Sequence, residues 1–479
     1  MLARPVLSLS LALNYAAGTL NPWGYHLVNT AIHLLSAWVL YGILRRILPR
    51  SGGKGSPADA SAPAAAAALL WAVHPLQTES VTYIIQRSEL MAGLCVLSAL
   101  YSSIRGWRLC AAASVIIGIG AKPTAAVAPL LVFLYHRFFQ TGSWLEILKR
   151  EKALYAGLAA GLAMLAVQMS VLPKGLDPSA GLGLKEVTPA AYAMTQPGVI
   201  LHYLKLTLWP VGLCLNYEWP LAETAAQAVA PGLLLLVLAA VTVLLFRRRN
   251  WAGFWAAWFF LTLAPTSSVI PLADAAFEHR MYLPLIGPVT LLVLGLGRFL
   301  SRRWFWAVVL AAALGLSALT IRRNGVYASE TAMWTDVVSK RPLSSRAHNN
   351  LGLALAAQGR HEEALEEFRK AVALNPLDAV AHNNLGLALL KQKRVGEAEA
   401  IFRELIRTSE KYTPAYNNLA LLLTRRGETQ EAIRLYRKSL ALDPYNALTH
   451  KNLGVALQKE GRMEEAEGHF RRAAELSGR

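Results

Sequence analysis

The stretch HPLQTESVTYIIQRSE (74–89) sets His74, Glu79 and Arg87 between two strongly apolar segments, and DAAFEHRMYLP (274–284) does the same for Asp274, Glu278, His279, Arg280 and Tyr282. Ionisable groups in or beside a membrane are costly to hold, so their gathering points to work they do there. Glu79, Tyr83 and Arg87 follow i, i+4, i+8 and are expected on one helical face. His26, Asn29 and His33, from HLVNTAIH, form a second polar stripe at i, i+3, i+7, and Lys122 falls in a turn between two apolar helices. Arg87, Arg280 and Lys122 could stabilise a lipid-linked phosphate as it leaves. Glu79 or Glu278, if ionised and within hydrogen-bond reach, could draw the proton from an acceptor hydroxyl. His26, Asn29, His33, His74 and Tyr282 would line the cavity between them. The plainer alternative is a set of mutually paired charges that only fix helix packing.

These groups must be carried by the apolar segments around them. Of the 479 residues 54% are apolar, with a sharp change of character near residue 340. Before it come stretches such as VAPGLLLLVLAAVTVLLF (229–246), WAGFWAAWFFLTLAPTSSVI (251–270) and WFWAVVLAAALGLSALTI (304–321). A bilayer core takes about 20 apolar residues of helix. Crossings are therefore expected near 26–44, 64–76, 88–104, 108–121, 123–139, 152–172, 229–246, 252–270, 281–300 and 304–321. Basic clusters at 45–50, 246–250 and 301–304 mark the cytoplasmic loops. Loops 73–87, 173–228 and 271–280 then lie outside, and so does everything after 322. The segment 190–209 reads as interfacial or re-entrant, because a crossing there would invert every later loop against its charge. SGGKGSPADASAPAAAA (51–67) reads as a low-complexity linker. The net charge of +18 carries a surplus of twelve before residue 340, where it serves topology, so nucleic acid is not an expected partner. Cys95, Cys110 and Cys214 have no metal-ligand spacing, and neither a metal site nor a disulfide framework is assigned.

The polar part repeats every 34 residues. Asn350, Asn384, Asn418 and Asn452 share that spacing, as do Ala364, Ala398, Ala432 and Ala466, and Phe368, Phe402, Tyr436 and Phe470. This is the tetratricopeptide period, so four helix pairs are expected to stack into a curved solenoid. Its first helices open on Asn349-Asn350, Asn383-Asn384, Asn417-Asn418 and Lys451-Asn452. Amides give and take hydrogen bonds, and a ladder of them suits an extended peptide backbone. The alternative is that each asparagine braces its own repeat.

In order along the chain, RPVLSLSLALNYAAGTLNPWGYHLVNTAIHLL, AVHPLQTESVTYIIQRSEL, TPAAYAMTQPGVILHYLKLTLWP and EHRMYLPLIG, followed by the repeats, resemble the transmembrane-and-tetratricopeptide (TMTC) family and its bacterial relatives. The resemblance covers nearly the whole chain. It implies the GT-C superfold of polytopic glycosyltransferases, a polyprenyl-phosphate sugar as donor, and transfer of a mannose-like sugar to Ser or Thr of a protein on the extracytoplasmic side. Separately, the repeats resemble the asparagine ladder of glycosyltransferases that modify many proteins; no cofactor is assigned, and a divalent metal stays open. Relatives carry Ser-Lys-Glu where this chain has Ala121-Lys122-Pro123, and their pattern begins with one more membrane helix and an acidic loop. The first 25 residues hold too short an apolar run to cross, so the chain is expected to begin one membrane helix late; a cleaved signal peptide is the lesser alternative.

The expected fold is all-α: a polytopic GT-C-like membrane domain of about ten crossings over 1–325, a connecting helix over 326–341 and four tetratricopeptide repeats over 342–479. The expected function is transfer of a sugar from a polyprenyl-phosphate sugar to a protein held by the repeats, in a bacterial inner membrane with the repeats outside. Membrane lipid and a protein or peptide acceptor are the expected partners. A non-catalytic envelope scaffold is the alternative, and a transporter stands third because a protein-binding solenoid has no role in moving a small solute.

Overall fold

A computed structural model of the chain describes residues 4–48, 60–140, 143–171 and 187–477. Among these residues it is helical throughout and divides into two compact units, Met1–Tyr327 and Ala328–Arg479. The first unit runs α1 (Pro5–Gly18), α2 (Pro22–Ile47), α3 (Ser61–Ala72), α4 (Thr78–Thr82), α5 (Arg87–Arg105), α6 (Arg108–Ala121) and α7 (Ala128–Phe139). It continues with α8 (Trp144–Arg150), α9 (Lys152–Val171), α10 (Pro189–Leu208), α11 (Ala225–Arg247), α12 (Trp251–Leu263), α13 (Ile286–Phe299) and α14 (Arg302–Val326).

Each of the ten expected crossings falls on an apolar helix, and four of the helices, Pro22–Ile47, Ile84–Arg105, Ala225–Arg247 and Arg302–Val326, are long and apolar enough to cross a membrane. On α11 Leu233, Leu234, Leu236, Val237, Val241, Val243 and Leu244 are exposed. A helix apolar all round with its side chains uncovered needs lipid about it, so this is a membrane protein. The short α3 does the opposite: its run of alanines is buried, which lets it pack against α2, α13 and α14. At 12 residues it is about 18 Å long, too short for the hydrocarbon core. The expected linker over 51–67 is corrected in its last part, which is already helical from Ser61; residues 51–59 lie outside the described residues. Segment 190–209 forms one continuous 20-residue helix, α10, through Pro197, with no re-entrant break. Crossing 252–270 is shorter than expected because the helix stops at Leu263, ahead of APTSS.

The second unit opens with α15 (Glu330–Lys340) and continues as four pairs. These are α16 (Ser345–Ala357) with α17 (His361–Leu374), α18 (Ala379–Lys391) with α19 (Val395–Thr408), α20 (Thr413–Arg426) with α21 (Thr429–Leu442) and α22 (Ala447–Lys459) with α23 (Met463–Ser477). Each helix packs on the next. Caps follow from sequence: Ser344, Asp378 and Asn446 accept backbone N–H groups at the starts of α16, α18 and α22. The core is the 34-residue ladder itself, Ala364, Ala398, Ala432 and Ala466 beside Phe368, Phe402 and Tyr436.

Candidate functional site

Two loops of the first unit carry two of its buried carboxylates, Glu79 and Glu278. The first is the 3-10 turn Pro75–Gln77 with α4, and the second is the 3-10 turn Glu278–Met281. They meet each other and the C-terminal end of α14, whose Thr320 donates to Val73 O at 2.7 Å and whose Asn324 Oδ1 accepts from Thr82 Oγ1 at 2.8 Å. Glu79 accepts the backbone N–H of His279 at 2.9 Å and lies 2.6 Å from His279 Nδ1. Glu278 accepts the backbone N–H of Cys214 and, at 2.8 Å, the Tyr217 hydroxyl. Its other oxygen faces Arg323 Nη2 at 3.8 Å.

Burial raises the pKa of both Glu79 and Glu278, because a carboxylate withdrawn from water loses hydration. The bond from the His279 backbone and the positive charges of Arg323, Lys122 and Arg280 oppose this at Glu79. At Glu278, Arg323 pulls down while the Glu79 charge pushes up. Burial also lowers the pKa of His279, favouring its neutral form, and its Nδ1 lies within hydrogen-bond distance of Glu79 Oε1. Gln77 and Ser80 flank Glu79 with buried polar side-chain atoms that have no hydrogen-bond partner among the described residues. The arrangement can hold and pass a proton next to a fixed positive charge.

Four of the expected residues, Glu79, Glu278, Arg280 and Lys122, therefore come together; His279, named in the sequence but given no role there, and Arg323, not singled out, join them. A signal for Arg323 was present: Arg322-Arg323 closes the last apolar segment where the expected topology leaves few basic residues. One expectation is corrected. Glu79, Tyr83 and Arg87 do not share a continuous helix face, because Tyr83 takes extended backbone (φ −80°, ψ 107°) and separates α4 from α5.

Arg87 instead closes a separate polar web. It is fully buried and donates to Asn29 Oδ1 at 2.7 Å, to Ser10 O and Oγ at 3.2 and 3.1 Å, and to Tyr25 O at 3.1 Å. Asn29 in turn donates to Val81 O at 3.1 Å. Arg280 donates to Ala275 O at 2.7 Å and Asp274 O at 2.6 Å, with Tyr192 and Thr266 O further off. It also lines a narrow crevice with Glu89, Thr124, Thr262 and Thr266, and Lys122 is ion-paired with Glu89. A phosphate reaching Arg87 or Arg280 would have to displace these carbonyls.

The remaining polar residues hold the scaffold. Tyr282 lies 3.0 Å from His33 Nδ1, and His33 Nε2 lies 2.9 Å from Ala72 O. The indoles of Trp71 and Trp258 donate to the carbonyls of Tyr282 and Leu283, both at 2.9 Å. Gly93 on α5 leaves the space the Tyr282 ring fills; a Cβ there would stand 2.5 Å from it. His74 bonds to Thr207 O at 3.2 Å, and His26 is half-buried on α2. Among the described residues no three His, Cys, Asp or Glu side chains gather as metal ligands.

In the second unit the asparagines bond across repeats: Asn384 Nδ2 to Asn349 Oδ1 at 2.9 Å, Asn418 to Asn383 at 2.7 Å and Asn452 to Asn417 at 3.3 Å. The second asparagine of each pair thus braces the preceding repeat with one N–H. Asn384 lines a groove with Leu353, His361, Phe368, Leu387 and Lys391.

Family models described as tetratricopeptide repeats match residues 352–393, 377–444 and 423–476. The chain is similar to "Protein O-mannosyl-transferase Tmtc3" of Drosophila melanogaster, 26% identical over 77% of this chain and 48% of that protein. It is also similar to "Protein O-mannosyl-transferase Tmtc1" of the same organism, 24% identical over 75% of this chain and 53% of that one. "Protein O-mannosyl-transferase TMTC3" of Mus musculus is 24% identical over 77% of this chain and 44% of its own length. The chain spans about half the length of these relatives. Among solved structures, "Crystal structure of MamA" aligns over 31% of this chain and 86% of that one, 25% identical with a TM-score of 0.28.

Proposed function

We propose that the chain is a membrane O-glycosyltransferase of the mannosyltransferase kind, moving a sugar from a polyprenyl-phosphate donor to a hydroxyl of a protein held by the repeats. The observation that carries the reading is the Glu79–His279–Glu278–Arg323 cluster, two buried carboxylates against a buried histidine and a buried guanidinium. In the reaction the acceptor oxygen bonds to the anomeric carbon of the sugar, the bond from that carbon to the phosphate oxygen breaks, and the hydroxyl proton passes to the base. Glu79, ionised and oriented by His279, is assigned as that base; Arg280, which lines the crevice, and Lys122, paired with its Glu89, are assigned to the phosphate. Arg87 is kept as a proposed phosphate contact only through displacement of its carbonyl partners, and Arg323 balances Glu278. The likeness to proteins named O-mannosyl-transferases supports the sugar class, and the bacterial inner membrane remains part of the proposal.

A second reading, the non-catalytic scaffold, draws on the fact that Arg87, Arg280 and Lys122 all have protein partners. The two separate in one experiment. Envelope proteins from cells lacking the gene are compared by intact mass with those of cells complemented by the wild type, Glu79→Gln or Glu278→Gln. Hexose-sized increments that return with the wild type alone support transfer, since losing a general base costs about a hundredfold or more. Increments restored equally by both variants, or never lost, overturn it.

A further inference from the structure

The charges of the repeat unit are segregated by helix. None of the four first helices, α16, α18, α20 and α22, contains an Asp or Glu, whereas α17, α19, α21 and α23 contain twelve glutamates. Three positions of the first helices recur at 34 residues and, at i, i+3, i+7, fall on one face. The first is the asparagine rung, Asn350, Asn384, Asn418 and Asn452. The second is apolar: Leu353, Leu387, Leu421 and Val455, of which Leu353 is 45% and Leu387 42% exposed. The third is basic: Lys391, Arg425 and Lys459, all exposed.

Asn384, Leu387 and Lys391 line the same groove. Among the described residues neither Lys391 nor Arg425 has an ion-pair partner, while the neighbouring Arg426 is neutralised by Glu399 and Glu428. Lys459 reaches across to Thr424 O at 3.0 Å, along the line the rungs define. On the second helices Arg369, Lys370, Arg403 and Arg407 are ion-paired with glutamates, whereas the recurring basic position of the first helices makes no ion pair among the described residues.

We propose that this face binds an extended, acidic polypeptide segment, with amides on its backbone, leucines under its apolar side chains and the Lys391–Arg425–Lys459 ladder on its carboxylates. This deepens the acceptor-holding role given above and rests on that reading only for its purpose, not for its chemistry. The amide bonds between rungs make the first helices direct neighbours, about 8–10 Å apart. A polyproline II-type extended chain rises about 3.1 Å per residue and returns every third side chain to one face, so successive rungs meet about every third residue. The favoured segment therefore carries Asp or Glu at every third position, and an exposed ion pair on each rung favours it by a small increment.

The test uses the full chain in nanodiscs of neutral lipid, with no sugar donor present, and labelled 12-residue peptides read by fluorescence anisotropy. The peptide with Glu at every third position is expected to bind about tenfold tighter than the same peptide with Gln there, a preference that shrinks at high salt. Lys391→Gln/Arg425→Gln/Lys459→Gln, all at exposed sites, is expected to abolish the preference while far-UV circular dichroism stays unchanged. Equal binding of the Glu and Gln peptides by the wild type, or a preference kept by the triple variant, overturns the proposal. So does capture of anionic vesicles by the wild type and not the variant without any peptide preference, which would assign the ladder to a lipid surface. A failed transfer reaction leaves this readout untouched, and a failed peptide preference leaves the Glu79→Gln comparison to stand by itself.

Discussion

Removing Arg323 while leaving Glu278 should destabilise the membrane unit in a pH-dependent way. Both groups are buried, their charged atoms lie 3.8 Å apart, and among the described residues the facing Glu278 oxygen has no hydrogen bond. Breaking such a pair costs about 3–5 kcal/mol, because one charge is left in a site water does not reach. Glu278 has an escape, which is to take up a proton. Its pKa is already raised by burial and held down by Arg323, so Arg323→Met raises it further. A carboxyl whose folded pKa lies above its unfolded value adds no penalty below the unfolded value. The folded state then loses about 1.4 kcal/mol for each pH unit climbed until the folded pKa is passed. Arg323→Met should therefore unfold close to wild type at pH 5 and progressively earlier toward pH 8. Adding Glu278→Gln should recover most of the loss at pH 8, leaving the smaller cost of the guanidinium's packing on the Tyr327 ring, 5.2 Å from its centroid. Tryptophan fluorescence in detergent is the assay, since twelve of the thirteen tryptophans precede residue 328 and so report this unit. A loss equal at all pH values, or one that Glu278→Gln does not relieve, refutes the coupling.

Transfer activity should fall as pH drops through the raised Glu79 value, since the base must be ionised; Glu278→Gln removes a like charge, releases Arg323, and should move that acid limb to lower pH in a rate profile. An unmoved limb counts against Glu79 as base. Gly386→Ala puts a Cβ 2.6 Å from the Phe402 ring, an overpacking of about 1–3 kcal/mol against a helix gain of about 1 kcal/mol, so urea unfolding should come earlier and Phe402→Leu should offset it. Stabilisation by Gly386→Ala alone would contradict the packing. Replacing Asn349, Asn383 and Asn417 by Ala removes three inter-repeat bonds, each worth about 0.5–1.5 kcal/mol, and should broaden the unfolding transition of the repeats without lowering their helix content. A transition as sharp as wild type would leave the ladder without a bracing role.

What the sequence determined is what is local or periodic. Ten apolar segments became ten apolar helices because a run of lipid-compatible residues of given length has few ways to satisfy its backbone other than a helix. The 34-residue repeat was legible for the same reason: each rung, such as Ala364 beneath Phe368, recurs in a unit whose packing is set by its neighbours in sequence. Loop charge leads one to expect the segments of Glu79 and Glu278 on one side, but not the company the two residues keep. Glu79 meets His279 two hundred residues away, and Arg323 arrives from the last helix of the unit, at pairings that no spacing encodes. Sequence periodicity put Arg87 on a helix face with Glu79; a single extended residue, Tyr83, turned it into the Asn29 web instead. The asparagines show the same division. Their spacing is in the sequence, yet which amide bonds to which, Asn384 to Asn349 and not to a ligand alone, depends on how far one repeat is turned against the next. Helix formation and burial follow from composition within one segment, whereas the partner of a buried charge is chosen by the packing of segments distant in the chain, where leaving it unpaired would cost more than any local preference can offset.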